Sequence, residues 1–166
     1  MKIGTCVNFS EIDGMEKKFA QLREHNFDSC QLVSWNPAAW TDENASLLKT
    51  LLEQYQITVS AFWCGWSGPA AWNFYDGPLT LGLVPVEYRQ MRIENLCDGA
   101  DFAHKLGITD VVTHMGFIPE NPYDPNFSSF CIAVRTVAEH LKKNGQCLLF
   151  ETGQETPVTM LRCFEA

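Results

Sequence analysis

Basic residues are scarce in this chain. Its 12 lysines and arginines stand against 20 aspartates and glutamates, a net charge of -8 with the acids scattered along the sequence. That balance leaves no electrostatic footprint for nucleic acid or an anionic membrane surface. Long apolar runs are missing too: none reaches the roughly 20 residues needed to span a bilayer. The start Met1-Lys2-Ile3-Gly4 is strand-like and carries none of the basic, apolar and small-residue regions of a signal peptide, so a cytoplasmic location is expected. No Cys-x-x-Cys pair occurs among the seven cysteines, and most lie in apolar patterns, which favours free core thiols over disulfides or a zinc knuckle. Also missing are Gly-x-Gly-x-x-Gly, the Walker pattern, the Gly-x-Ser-x-Gly elbow and the His-Glu-x-x-His helix. Nucleotide-binding and hydrolase readings lose support accordingly.

What is present is a 46% hydrophobic chain of 166 residues, enough for a single domain over 1–166 with a sizeable core. Its pattern alternates between short β-type runs and longer helical periods, as βα units around a parallel sheet require. Strands are expected at Ile3–Val7, Ser29–Ser34, Ile57–Trp63, Asp110–His114 and Gln146–Glu151. Met15, Phe19 and Leu22 mark a first helix. Thr41 is the expected N-cap of a second, with Leu47, Leu48, Leu51, Leu52 and Tyr55 as its buried stripe. A third runs from about Glu87 to Leu106 and a fourth from about Ser128 to Lys143, each closed by a glycine, and Thr156-Pro157 opens a fifth.

Two connections, Gly65 to Pro85 and Gly116 to Asn126, are too long for plain turns. The first carries Trp66, Trp72, Phe74 and Tyr75, too aromatic for a disordered linker. Both follow strands, so they rise from the sheet face where ligands bind in parallel α/β folds.

The candidate chemistry lies on that same face. Glu151 ends the run Cys147-Leu148-Leu149-Phe150, and a carboxylate at the end of a buried strand needs a cation or a donor to meet it. His114 ends Val111-Val112-Thr113 in the same way, which places an imidazole and a carboxylate on one rim of adjacent strands. Such a pair suits a divalent metal or acid/base work on a small polar substrate, the alternative being a buried histidine bonded to a loop. Trp35, Trp63 and Trp66 fall at or just past strand ends, where they wall a sugar pocket or simply pack the core. Arg89 and Arg92 stand at helical spacing, placed either to hold an anionic group such as a phosphate or to line an exposed helix face. Gln154 and Glu155 reach the site or support the following helix N-terminus. His25, His104 and His140 sit on helices, with surface positions as the default.

The order of these elements is joined by four short motifs. They are Trp66-Ser67-Gly68-Pro69, Gly77-Pro78-Leu79-Thr80-Leu81-Gly82-Leu83-Val84-Pro85, Thr113-His114-Met115-Gly116-Phe117-Ile118-Pro119-Glu120 and Phe150-Glu151-Thr152-Gly153-Gln154-Glu155-Thr156-Pro157. Together they resemble the sugar phosphate isomerase/epimerase family with the xylose-isomerase-like TIM barrel, over roughly the first five of eight strand–helix units. The resemblance implies an α/β fold, a partial (β/α)8 TIM barrel with about five parallel strands and four to five helices, the C-terminal strands missing.

It further implies a divalent metal, manganese or magnesium, held by a glutamate at the end of the fifth strand and by an aspartate, a histidine and a glutamate from later strands. Glu151 matches the first ligand and one of two acid/base groups that move a proton next to a carbonyl while the metal stabilises the enediolate. His114 matches a rim histidine. The other ligands have no counterpart, because the chain stops inside its fifth expected helix. The expected partner is a small sugar or sugar phosphate, with no nucleic acid and no membrane, and open sheet edges favour self-association. Three other readings stay open: a non-catalytic sugar-binding or self-associating half-barrel, a fragment without independent role, and an abasic-site endonuclease-like barrel. Four histidines and the acidic charge weigh against the last.

Overall fold

The computed structural model describes residues 3–166, so the strand-like reading of Met1-Lys2 lies outside the described residues. Strands β1 (Thr5–Asn8), β2 (Ser29–Ser34), β3 (Thr58–Cys64), β4 (Asp110–His114) and β5 (Cys147–Glu151) form one parallel sheet in chain order. Helices α1 (Met15–Glu24), α2 (Asp42–Gln54), α4 (Val86–Lys105) and α5 (Pro125–Lys143) alternate with them, α6 (Pro157–Glu165) follows β5, and a single turn of helix, α3 (Gly77–Thr80), lies inside the long loop after β3. Among the described residues, five parallel strands in sequential order with helices between them make this a partial barrel; its five longer helices stand where four to five were expected, and the short α3 is the addition.

Local chemistry sets the helix starts. The Thr41 side chain accepts from the Asn44 amide ahead of Asp42 and Glu43, and Thr156 accepts from Thr159 just before Pro157. Asp124 caps α5, which therefore begins at Pro125, ahead of the expected Ser128. On α2 the buried face is Ala45, Leu48 and Leu52, whereas Leu47 is exposed. The expected stripe is thus rotated by about one residue, leaving Leu51 and Tyr55 only partly covered.

The core lies between sheet and helices. Phe9, Phe62 and Phe102 are fully buried, with Phe9 stacked on Phe102 at 5.6 Å and Phe62 tilted against it at 5.8 Å. Each such ring contributes about 1.5–3 kcal/mol on burial. Cys30, Cys64, Cys131 and Cys163 are buried and all seven thiols are free, as the spacing predicts. Among the described residues no helix is long and apolar enough to cross a membrane.

Candidate active site

The inner face of the sheet carries a continuous row. Val33 pairs with Trp63, Trp63 with Val112, and Val112 with Leu149, one residue from each of β2 to β5. Two residues further along, His114 on β4 is the register partner of Glu151 on β5, so imidazole and carboxylate stand side by side on one rim. The β5 strand is not the buried strand expected: Cys147, Leu149 and Glu151 face the open interior and are exposed. Glu151 nevertheless has its donor, since Trp63 Nε1–H reaches across β4 and donates to its Oε2 at 2.7 Å. Charge-assisted bonds of this length are the strong ones, and this one fixes the direction of the carboxylate.

His114 is buried, and its Nδ1 accepts the Gly116 amide at 3.0 Å. Burial lowers its pKa, against the negative charges of Glu151 and Glu155, which push it up. The turn that delivers the Gly116 amide is held by a backbone crossing. Gly82 and Gly116 both have positive φ, and a Cβ on either would strike the backbone of the other segment. Leu83 also donates its amide to the Met115 carbonyl at 3.0 Å. On the other side of the ring lies Gly153, where a Cβ would come within 2.5 Å of His114 Nε2.

Above the pair four indoles meet. Between ring centroids Trp35 lies 4.8 Å from Trp63, 5.0 Å from Trp66 and 6.1 Å from Trp72, and the Trp72 and His114 rings meet nearly perpendicular with centroids 5.1 Å apart. Trp63 and Trp66 are buried, while Trp35 and Trp72 present surface to solvent, so the cluster has a closed base and an open upper side. Trp72 was not among the sequence candidates, although the aromatic composition of its loop was the available signal.

The two arginines are not on an exposed helix face. Arg89, expected to hold an anionic group, is buried and donates to the Leu83 and Val84 carbonyls, to Asn126 Oδ1 and to Ser129 Oγ. Four of its five N–H bonds are spent joining α4 to the preceding loop and to α5, which leaves one for any anion. Arg92 is fully buried, donates to the carbonyls of Gly82 and Pro69, and lies over the ring of Trp66 at 5.3 Å; burial pushes its pKa down to about 10. Through Gly82 it holds the crossing that positions the His114 turn. Glu155 accepts the Gly153 amide at 2.9 Å and braces the turn after β5, and the Gln154 side-chain oxygen is buried without a partner. His140 is partly buried against Asp101 at 2.7 Å instead of free on the surface.

A divalent metal does not fit the described residues by themselves. They contain no cluster of three histidine, cysteine, aspartate or glutamate side chains that could surround a cation, and Nδ1 of His114 is already spent on a backbone donor.

Comparison with known proteins agrees with the architecture. A xylose isomerase domain protein from Planctomyces limnophilus is similar with a TM-score of 0.88 at 24% identity, over 98% of this chain and 58% of that one. L-ribulose 3-epimerase is similar at 0.72 and 20% identity, over 99% and 57% of the two chains. A xylose isomerase-like TIM barrel protein from Mycobacterium smegmatis, solved in complex with magnesium, is similar at 0.68 and 21% identity, over 93% and 53%. The chain thus spans a little over half the length of these structures. No curated protein matches it. Residues 19–166 match the family model described as xylose isomerase-like TIM barrel, and the chain belongs to that family.

Proposed function

We propose that this chain belongs to a sugar isomerase or epimerase in which Glu151 takes a proton from the carbon next to a substrate carbonyl. The observation that carries this reading is the oriented carboxylate itself: Glu151 ends a barrel strand, is held by Trp63 and stands beside the neighbouring strand's His114. A carboxylate aimed by a fixed donor is suited to abstracting an acidified C–H, because its free oxygen needs no reorganisation to face the substrate. Abstraction gives an enediolate, whose oxygens call for hydrogen-bond donors nearby. The exposed faces of Trp35 and Trp72 offer the apolar stacking surface that the C–H face of a sugar takes. The L-ribulose and D-allulose epimerases among the similar structures are consistent with a ketose or related carbohydrate as substrate class.

The described side chains do not by themselves surround a metal ion. The indole cluster also favours a second reading, sugar binding without turnover. One experiment separates them. The chain is incubated with L-ribulose or D-allulose, with and without magnesium or manganese, while isomers are followed by chromatography and binding by tryptophan fluorescence. A new isomer that disappears in Glu151→Gln supports the isomerase reading. Fluorescence change without product favours the binding module, and neither response overturns both.

A further inference from the structure

A backbone amide is only a donor. The Gly116 N–H aimed at His114 Nδ1 from 3.0 Å therefore obliges that nitrogen to be the acceptor, and the neutral ring must carry its proton on Nε2. The assignment is built into the fold, because the amide cannot turn away. Gly116 is pinned against Leu81 and Gly82, and Arg92 holds the Gly82 carbonyl from the buried side.

The other nitrogen is left free for a ligand. Among the described residues Nε2 makes no hydrogen bond, and the position facing it is Gly153, whose backbone packs so close that a Cβ would lie 2.5 Å from that nitrogen. Glu151 lies beside the ring as its register partner on β5. This arrangement also speaks against coordination. A metal-bound imidazole donates its second N–H outward to a carboxylate, carbonyl or water, whereas here the second nitrogen faces a donor and has no proton to give.

The geometry points to His114 as a fixed, neutral Nε2–H donor to a carbonyl or hydroxyl oxygen of the substrate, and not as a base or a metal ligand. The target of the donor rests on the sugar reading above; the tautomer does not.

The test is long-range 1H–15N correlation on the histidine-labelled chain at mildly alkaline pH. The expected spectrum gives His114 an unprotonated, pyridine-type Nδ1 and a protonated, pyrrole-type Nε2. The reverse tautomer overturns the proposal whatever the protein binds. D-allulose and L-ribulose are then titrated in, and the Nε2 resonance is expected to move while Nδ1 stays in place. Binding seen by tryptophan fluorescence with Nε2 unchanged overturns the donor role. No binding of either sugar overturns the sugar reading and the donor's target with it, but leaves the tautomer result standing. As a variant check, His114→Phe is expected to weaken sugar binding about 3- to 10-fold, while His114→Gln, which keeps an N–H near Nε2, recovers most of it. Equal losses in both variants contradict the donor role.

Discussion

Trp63 on β3 and Glu151 on β5 are joined across the intervening strand by a single hydrogen bond of 2.7 Å from indole N–H to carboxylate. The bond ties the closed base of the indole cluster to the carboxylate that pairs in register with His114. It also links the middle of the sheet to its edge, since β5 pairs on one side only.

That bond is measurable by a double-mutant cycle. Trp63→Phe and Glu151→Ala are expected to be coupled by about 1.5–3 kcal/mol in urea unfolding, the range for a hydrogen bond to a charged group. Strict additivity would show that the contact does not form in solution.

Gly153 is expected to tolerate no side chain. A Cβ there lies 2.5 Å from His114 Nε2, and the ring cannot swing freely because Gly116 holds its far side and Trp72 its edge. Gly153→Ala should cost about 1–3 kcal/mol by chemical denaturation and move the His114 ring resonances.

Arg89 is expected to matter for stability and not for anions. Arg89→Ala leaves the Leu83 and Val84 carbonyls and Asn126 without their donor, at a cost of about 2–4 kcal/mol. Arg89→Lys should recover only part, because one ammonium cannot reach acceptors spread along a planar fork. Phosphate titration of the native chain should leave Arg89 unaffected.

Acid should destabilise the fold through His114. Burial, opposed by the charges of Glu151 and Glu155, holds its folded pKa below the unfolded value near about 6.5. As pH falls through that value the unfolded chain takes up a proton that the folded chain refuses, so stability declines as pH drops toward the folded pKa. Unfolding free energies between about pH 7 and 5 should slope downward in the native chain. His114→Phe should flatten that slope.

The limits of strands β2 and β4 were legible to the residue, β2 even though its run Ser29-Cys30-Gln31-Leu32-Val33-Ser34 is short and mixed in polarity. The adjacency of His114 and Glu151 was legible too, since sequential βα units put successive strand ends on one rim. The rotation of α2 was not: Leu47, Leu48, Leu51 and Leu52 offer two overlapping stripes, and only contact with the sheet chooses the one through Ala45 and Leu48. The bond between Trp63 and Glu151 depends on a side chain spanning two strand spacings, which no periodicity encodes. Arg89 misled because a charged residue near a helix start reads as exposed, whereas carbonyls of the preceding loop and side chains of α5 bury it.

Deuterium wash-in tests the central claim most directly, because it reads proton abstraction whether or not a full turnover follows. The chain is incubated with L-ribulose or D-allulose in heavy water and the carbon next to the carbonyl is followed by proton NMR. Loss of that signal at a rate above the buffer control, returned to the control rate by Glu151→Gln, is the expected result. Exchange at the buffer rate in the native chain, with the sugar demonstrably bound, would contradict the role of Glu151 as the base.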